Sequence, residues 1–298
     1  MKSYLSLVKR NIKMFFKDKG MFFTSLITPI ILLILYATFL AKVYRDSFVS
    51  SLAENFTVPD KLIDGTVGAE LLSSLLAVSS VTVAFCSNLL TVQDKLSGAR
   101  KDMLMTPVKK STLALAYFSA SFLTTLIVSL AATAAGFIYL AFTGWYMSFA
   151  DVLLLILDVI ILTAFGTALS SIVNVFITTQ GQGQAVGTVV SAGYGFICGA
   201  YMPIANFGKG LRNTLMFLPG TYGTSLIRNH ALSGVYKEMA AQNFPAEVIE
   251  SIKDGIDCNI YFFDHKVELW VMYAVMLCSI ALLAAVFVII NKLNKKRV

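Results

Sequence analysis

The sequence predicts an all-α polytopic membrane protein. It reads as six transmembrane helices, an N-terminal interfacial amphipathic helix, and an outer re-entrant helical hairpin between the fifth and sixth spans. Three observations predict this class. Of 298 residues, 57% are hydrophobic and only 14% charged, with a mean hydropathy of +0.74; soluble domains carry about 25% charged residues. The apolar runs are long and lack the alternation of a transmembrane barrel. The net charge of +7 collects in residues 2–19, in 92–110 and in the tail KLNKKRV. That distribution marks cytoplasmic flanks against anionic lipid rather than a nucleic-acid surface. The whole of 1–298 reads as one multi-pass transmembrane unit, with both termini cytoplasmic.

The first 20 residues form a basic amphipathic helix. Leu5, Val8, Ile12, Phe15 and Phe16 share one face, and Lys9, Arg10, Lys13 and Lys17 the other. The apolar run Met21–Val43 is too long for a signal-peptide core and forms the first span, kinked at Pro29. Residues 44–65 are mildly acidic and lie outside; one sequon match such as Asn55-Phe56-Thr57 is expected by chance. A second span over 67–91 leads into VQDKLSGARKDMLMTPVKK, residues 92–110. Here Leu96, Ala99, Met103 and Leu104 fall on one helical face, and Thr106-Pro107 ends the helix. From pattern alone this is either a short helix docked on something or an ordinary solvated basic loop.

The third span covers 112–142, followed by an outer turn at Gly144-Trp145-Tyr146, and the fourth covers 151–176. An uncharged inner turn, TTQGQGQ, enters a glycine-rich fifth span over 184–202. Gly183 with Gly187, and Gly195 with Gly199, form small-xxx-small pairs that suit tight packing within the bundle or a subunit interface. Pro203 ends that span. Residues 203–266 hold two apolar pieces broken at Leu218-Pro219-Gly220, each too short to cross, then a polar external segment over 235–264. The sixth span covers 267–290.

The chain carries no catalytic or nucleotide-binding signature: no H-E-x-x-H, no G-x-S-x-G and no G-x-x-x-x-G-K-[ST]. Cys86, Cys198, Cys258 and Cys278 show no metal spacing, and His230 and His265 both fall in the outer region. Asp158 reads as the one intramembrane charge, on the same face as Asp151. It either lines a path or sits close enough to the outer interface to be hydrated.

With these pieces in order, the whole chain resembles the ABC-2 type permeases, the membrane subunits of bacterial ATP-binding-cassette exporters. The resemblance is carried by the basic N-terminal helix and by the loop with Asp94-Lys95, Gly98 and Thr106-Pro107-Val108. It is carried further by the outer run with Gly199, Pro203, Leu218-Pro219 and Arg228, and by the basic tail. Leu218 stands where many members have asparagine, and Gln93-Asp94 where they have paired acids. The longer segment after Arg228 is similar to the drug-resistance and peptide-export branch.

The resemblance implies that residues 92–110 are a coupling helix seated on a cytoplasmic ATPase, with Asp94, Leu96, Gly98, Arg100, Met103, Leu104, Thr106 and Pro107 carrying the contact. It implies Gly195, Gly199, Pro203 and Pro219 near a subunit interface or outer gate, and Asp158 as a candidate path-lining residue. Two ATPase subunits and a second permease copy or paralogue would be the partners. This chain would bind no cofactor, ATP and Mg being held by the ATPase. The function expected is ATP-driven export of an amphipathic or hydrophobic substrate such as a drug, peptide or lipid. The competing readings are an ion-coupled secondary carrier, which Asp158 would have to serve, and a non-transporting membrane sensor subunit.

Overall fold

The computed structural model describes residues 2–36, 39, 41, 42, 45 and 59–293. Eleven α-helices form the described part: α1 (Lys2–Lys17), α2 (Lys19–Leu35), α3 (Asp60–Leu96), α4 (Ala99–Met105), α5 (Lys110–Thr143), α6 (Phe149–Phe176), α7 (Gln180–Ile197), α8 (Lys209–Leu215), α9 (Pro219–Ala241), α10 (Ala246–Gly255) and α11 (Leu269–Leu293). A two-stranded antiparallel hairpin, β1 (Tyr261–Phe262) with β2 (His265–Lys266), precedes α11.

The all-α polytopic class is as expected, with differences in its parts. Among the described residues, four helices are individually long and apolar enough to cross a membrane: α3, α5, α6 and α11. A fifth span results if α1 and α2, bent by 72° at one break, count as one. The bend is local chemistry: Asp18 leaves the helix at ψ 95° and its side chain accepts the Met21 N–H at 3.0 Å, the signature of an N-cap. Most of residues 37–58, including the sequon and much of the expected outer loop, lie outside the described residues, as does the tail from 294.

α3 is the axis of the bundle, packed by α2, α5, α6, α7 and α9. It has no polar face to spare, and its sequence solves this with hydroxyls. Thr66, Ser79, Ser80 and Thr82 each donate to the carbonyl four residues back, so small polar side chains satisfy themselves within the helix. The expected second span, 67–91, is only its middle. Helix begins at Asp60, and at ~1.5 Å per residue its 37 residues exceed the ~30 Å hydrocarbon core by several turns. α11, by contrast, buries only Met272 and Met276 among its described side chains and leaves the others exposed or half-buried, as a lipid-facing edge does.

The second difference is α9. The piece expected to be too short to cross continues through Arg228 and His230 as one 23-residue helix, with Pro219 in its first turn. It is buried among α3, α6 and α11. Gly234 permits this: a Cβ there would stand 1.8 Å from the Tyr146 carbonyl oxygen. Its polar residues hid it from a hydropathy reading, yet they pair inside the bundle.

Candidate functional site

At one end of the bundle the chain leaves α3, makes α4 and returns as α5. Gly98 sits at φ +86°, a left-handed conformation that side chains disfavour, and its carbonyl accepts the Lys101 and Asp102 N–H groups at 2.8 and 3.2 Å. Thr106 closes α4 in extended conformation (ψ 161°), as a residue before proline must. No side chain of this seven-residue helix is buried. Leu96, Met105, Thr106 and Pro107 are exposed, Met105 by 84%, while Arg100, Met103 and Leu104 are half-buried. This short helix thus stands at the tip of the bundle with Leu96 and Met105 open to solvent.

Asp94 behaves differently from the rest of that set. It is 3% exposed and turned inward. Its Oδ1 accepts Arg10 Nη2 at 3.0 Å, and its Oδ2 accepts Arg10 Nη1 and, at 2.5 Å, the Tyr117 hydroxyl. The adjacent Lys95 donates to the carbonyls of Val175 and Ile177 at 3.3 and 2.9 Å, satisfying the carbonyl end of α6. α1 lies on α5 through Val8, Ala116 and Ala120, with Tyr4 donating to Ser119 Oγ at 2.7 Å.

A groove rises from this end along α3, walled by α2 and α7. Its lower chamber, about 610 Å³, has Gln93, Ser97, Gln180 and Gln184 at its mouth. Its upper chamber, about 850 Å³, is apolar, with Ile27, Ile31, Leu35, Leu71 and Phe196 beside Thr28 and Ser191. Thr24, Cys86, Leu89 and Gln184 line both chambers, so they are continuous. Gly187, half of the first glycine pair, lines the upper chamber with open space above it, whereas its mate Gly183 is packed on Leu89.

The groove ends at a polar knot. Gly199 takes φ +76° just past α7, and its carbonyl accepts Arg228 Nη2 at 3.0 Å. The fully buried Arg228 also donates to the Ile256 carbonyl at 2.6 Å and to Ser74 Oγ at 3.1 Å, and lies 3.6 Å from Asp257 Oδ2. Asp257 accepts the N–H groups of Ile204 and Ala205 at 2.5 and 3.1 Å, fixing the turn that follows Pro203. Burial pushes its carboxyl above the ordinary aspartate value, with Arg228 pulling the other way. A Cβ on Gly195 would meet the Tyr201 ring at 2.4 Å, and one on Gly220, next to Pro219, the Tyr194 hydroxyl at 2.6 Å. Gly195, Gly199, Pro203 and Pro219 thus come together around the end of α7.

Asp158 is not the one buried charge in the helices, as the sequence suggested: Glu70 on α3 and Arg228 on α9 are buried as well. The acid of Glu70 hides in a serine-rich run and became legible only once α9 brought Arg228 alongside. Asp158 is 2% exposed; its Oδ2 lies 2.5 Å from His230 Nδ1 and its Oδ1 accepts the Tyr273 hydroxyl at 2.6 Å. Both oxygens are occupied across α6, α9 and α11, away from the groove, and His230 lies within the bundle rather than in an outer loop. Asp151, on the same face, completes a capping box with Ser148. Among the described residues, no group of three or more His, Cys, Asp or Glu is placed to hold a metal ion.

The chain matches the family model described as ABC-2 type transporter over residues 2–231. No curated protein and no solved structure matches it. The match covers well over half of the chain and takes in α1, the clamp at Asp94, the exposed α4, the groove and Arg228. The chain therefore belongs to the ABC-2 type transporter family.

Proposed function

We propose that this chain is the permease subunit of an ATP-driven exporter in which α4 is the coupling helix. Family membership gives the coarser statement, a membrane component of an ABC transporter that works with an ABC ATPase. The observation that carries the finer reading is α4 itself. It is a short helix with no buried side chain, launched by a left-handed glycine, in a chain without a nucleotide-binding motif. Energy then enters from outside the chain, through Leu96, Gly98, Arg100, Met103, Leu104, Thr106 and Pro107, with α4, α1 and both termini on the cytoplasmic side.

The groove between α2 and α7 supports the rest of the reading. One copy supplies half a path, and a second copy or a paralogue facing it across α2 and α7 closes the other half. With α3, α5, α6 and α11, the bent pair α1–α2 and α7 then make up six spans. The 203–218 turn with α8 forms the re-entrant closure at the outer end, held by Arg228 and Asp257. Apolar walls with a few hydroxyl and amide groups suit an amphipathic or hydrophobic cargo over a long polar polymer, and drugs, peptides and lipids all fit that chemistry. The tied-up Asp158 favours a helix-to-helix link over a path-lining or ion-coupling role, which weakens the secondary-carrier reading.

The test is reconstitution with the ATPase that co-purifies with the chain. Met105→Glu leaves thermal stability unchanged, because that side chain is 84% exposed, and Leu104→Glu at its half-buried neighbour lowers it only modestly; both abolish ATPase assembly and stimulation. Normal assembly and stimulation in both variants would rule out α4 as the docking element.

A further inference from the structure

We propose that Arg10, Asp94, Tyr117 and Lys95 form a transmission node: positioning residues that make the α4 ends of α1, α3, α5 and α6 one rigid body at the root of the coupling helix. The inference rests on the reading of α4 as the ATPase contact and assigns how a displacement of α4 reaches the bundle.

Only Leu96, Ser97 and Gly98 separate the node from α4. Leu96 and Ser97 are exposed, and Gly98 has nothing within 4 Å of the place a Cβ would occupy. Side-chain packing near Gly98 therefore carries no displacement onward; the connection is the backbone, where the Ser97 N–H donates to the Gln93 carbonyl and the Gly98 carbonyl accepts the Lys101 and Asp102 N–H groups. The next residues back are held from three sides. Asp94 joins α3 to α1 through the two-pronged Arg10 contact and to α5 through Tyr117. Lys95 joins α3 to the end of α6. Arg10 is further oriented by Asn11 Oδ1, which accepts its Nη1 at 2.9 Å.

The geometry is that of an orienting device. A guanidinium offers a planar fork that fixes direction as well as distance, which a lysine cannot do. The tyrosine hydroxyl shares the same carboxylate oxygen from a second helix. A surface ion pair would be swept by solvent and would hold little; here the carboxylate side chain is only 5% exposed. α1 is thereby more than an anchor on the membrane surface. It moves with the root of α4, and it carries α5 with it through Val8, Ala116 and Tyr4.

The experiment uses spin labels at Lys13 on α1 and Lys101 on α4, both exposed. The background is Cys278→Ser, since Cys278 is exposed while the other three cysteines are buried. In nanodiscs the parent protein gives one narrow distance distribution, and Arg10→Gln, Arg10→Lys and Tyr117→Phe broaden it. In complexes with the co-purifying ATPase, the same variants assemble normally and hydrolyse ATP at the basal rate. Permease-dependent stimulation falls roughly 5- to 150-fold, the usual span of a coupling between sites. Arg10→Lys, which keeps the charge and loses the fork, falls with Arg10→Gln rather than with the parent. Parent-like distributions and stimulation in all three variants would overturn the node. If instead the distributions broaden while Leu104→Glu leaves stimulation intact, the node stands as a rigid joint and the docking role of α4 is what fails.

Discussion

Arg228→Met removes the centre of the knot at the end of the groove, and the structure sets the size of the loss. The guanidinium is fully buried and satisfies the carbonyls of Gly199 and Ile256 and the hydroxyl of Ser74, with Asp257 as counter-ion. Methionine fills much of the volume but leaves two carbonyls unsatisfied and two buried carboxylates, Glu70 and Asp257, without their cation. Breaking a buried pair from one side costs about 3–5 kcal/mol, which for a chain of this size is a fall in Tm on the order of 10 °C. Cys86, Cys198 and Cys258 are buried and Cys278 is exposed, so in a Cys278→Ser background a thiol-reactive dye reports unfolding in detergent directly. Two controls isolate the charge. Adding Glu70→Gln and Asp257→Asn to Arg228→Met recovers part of the loss, because neutral acids no longer need the arginine, and the set is strongly non-additive. A Tm within about 2 °C of the parent for Arg228→Met, or additive losses across the set, would refute the reasoning.

Three further outcomes follow from the same packing. Gly234→Ala drives a methyl into the Tyr146 carbonyl and costs ~3 kcal/mol or more, whereas Gly187→Ala meets open space and gains ~0.4–1 kcal/mol; equal dye-unfolding temperatures for the two would contradict the packing described. Asp158→Asn keeps one acceptor for Tyr273 and an amide that can donate to His230, so it costs well under the ~3–5 kcal/mol of Asp158→Leu, which orphans both partners; equal losses would show that charge, not hydrogen bonding, holds α6 to α9 and α11. Glu250 is held below the ordinary carboxylate range, first by its hydrogen bond to Lys266 and then by Lys253. A depressed acid contributes stability that is complete above its unfolded value of 4.5 and is lost as pH falls through the folded value. Protection against hydrogen exchange across 246–266, with rates normalised to the intrinsic exchange at each pH, should therefore fall between about pH 6 and about pH 3, and Glu250→Gln should flatten that dependence.

The elements most legible in the sequence were those whose signal is local. Gly98 and Thr106-Pro107 announce the ends of α4, because a left-handed residue and a pre-proline residue are set by their own sterics. The amphipathic α1 and the apolar runs of α5, α6 and α11 follow from composition alone. α9 was not legible as one long helix, because its glycines, Arg228 and His230 lower its hydropathy and their compensation lies on α3, α6 and the turn at Ile256–Asp257. Glu70 was missed for the same reason. Asp94 was legible as part of the loop pattern, but its inward turn was not, since nothing in the loop says that Arg10, 84 residues earlier, lies beside it.

By itself, then, the sequence determined the membrane class and the positions of the helix breaks, both of which depend on hydropathy and backbone sterics. Only the tertiary structure decided which charges are buried and with whom, which glycines face open space, and where the chain keeps a groove. Those are properties of neighbours remote in sequence. A buried carboxylate has no meaning until its partner is placed, and at Asp94, Asp158 and Asp257 that partner comes from another helix or a distant turn.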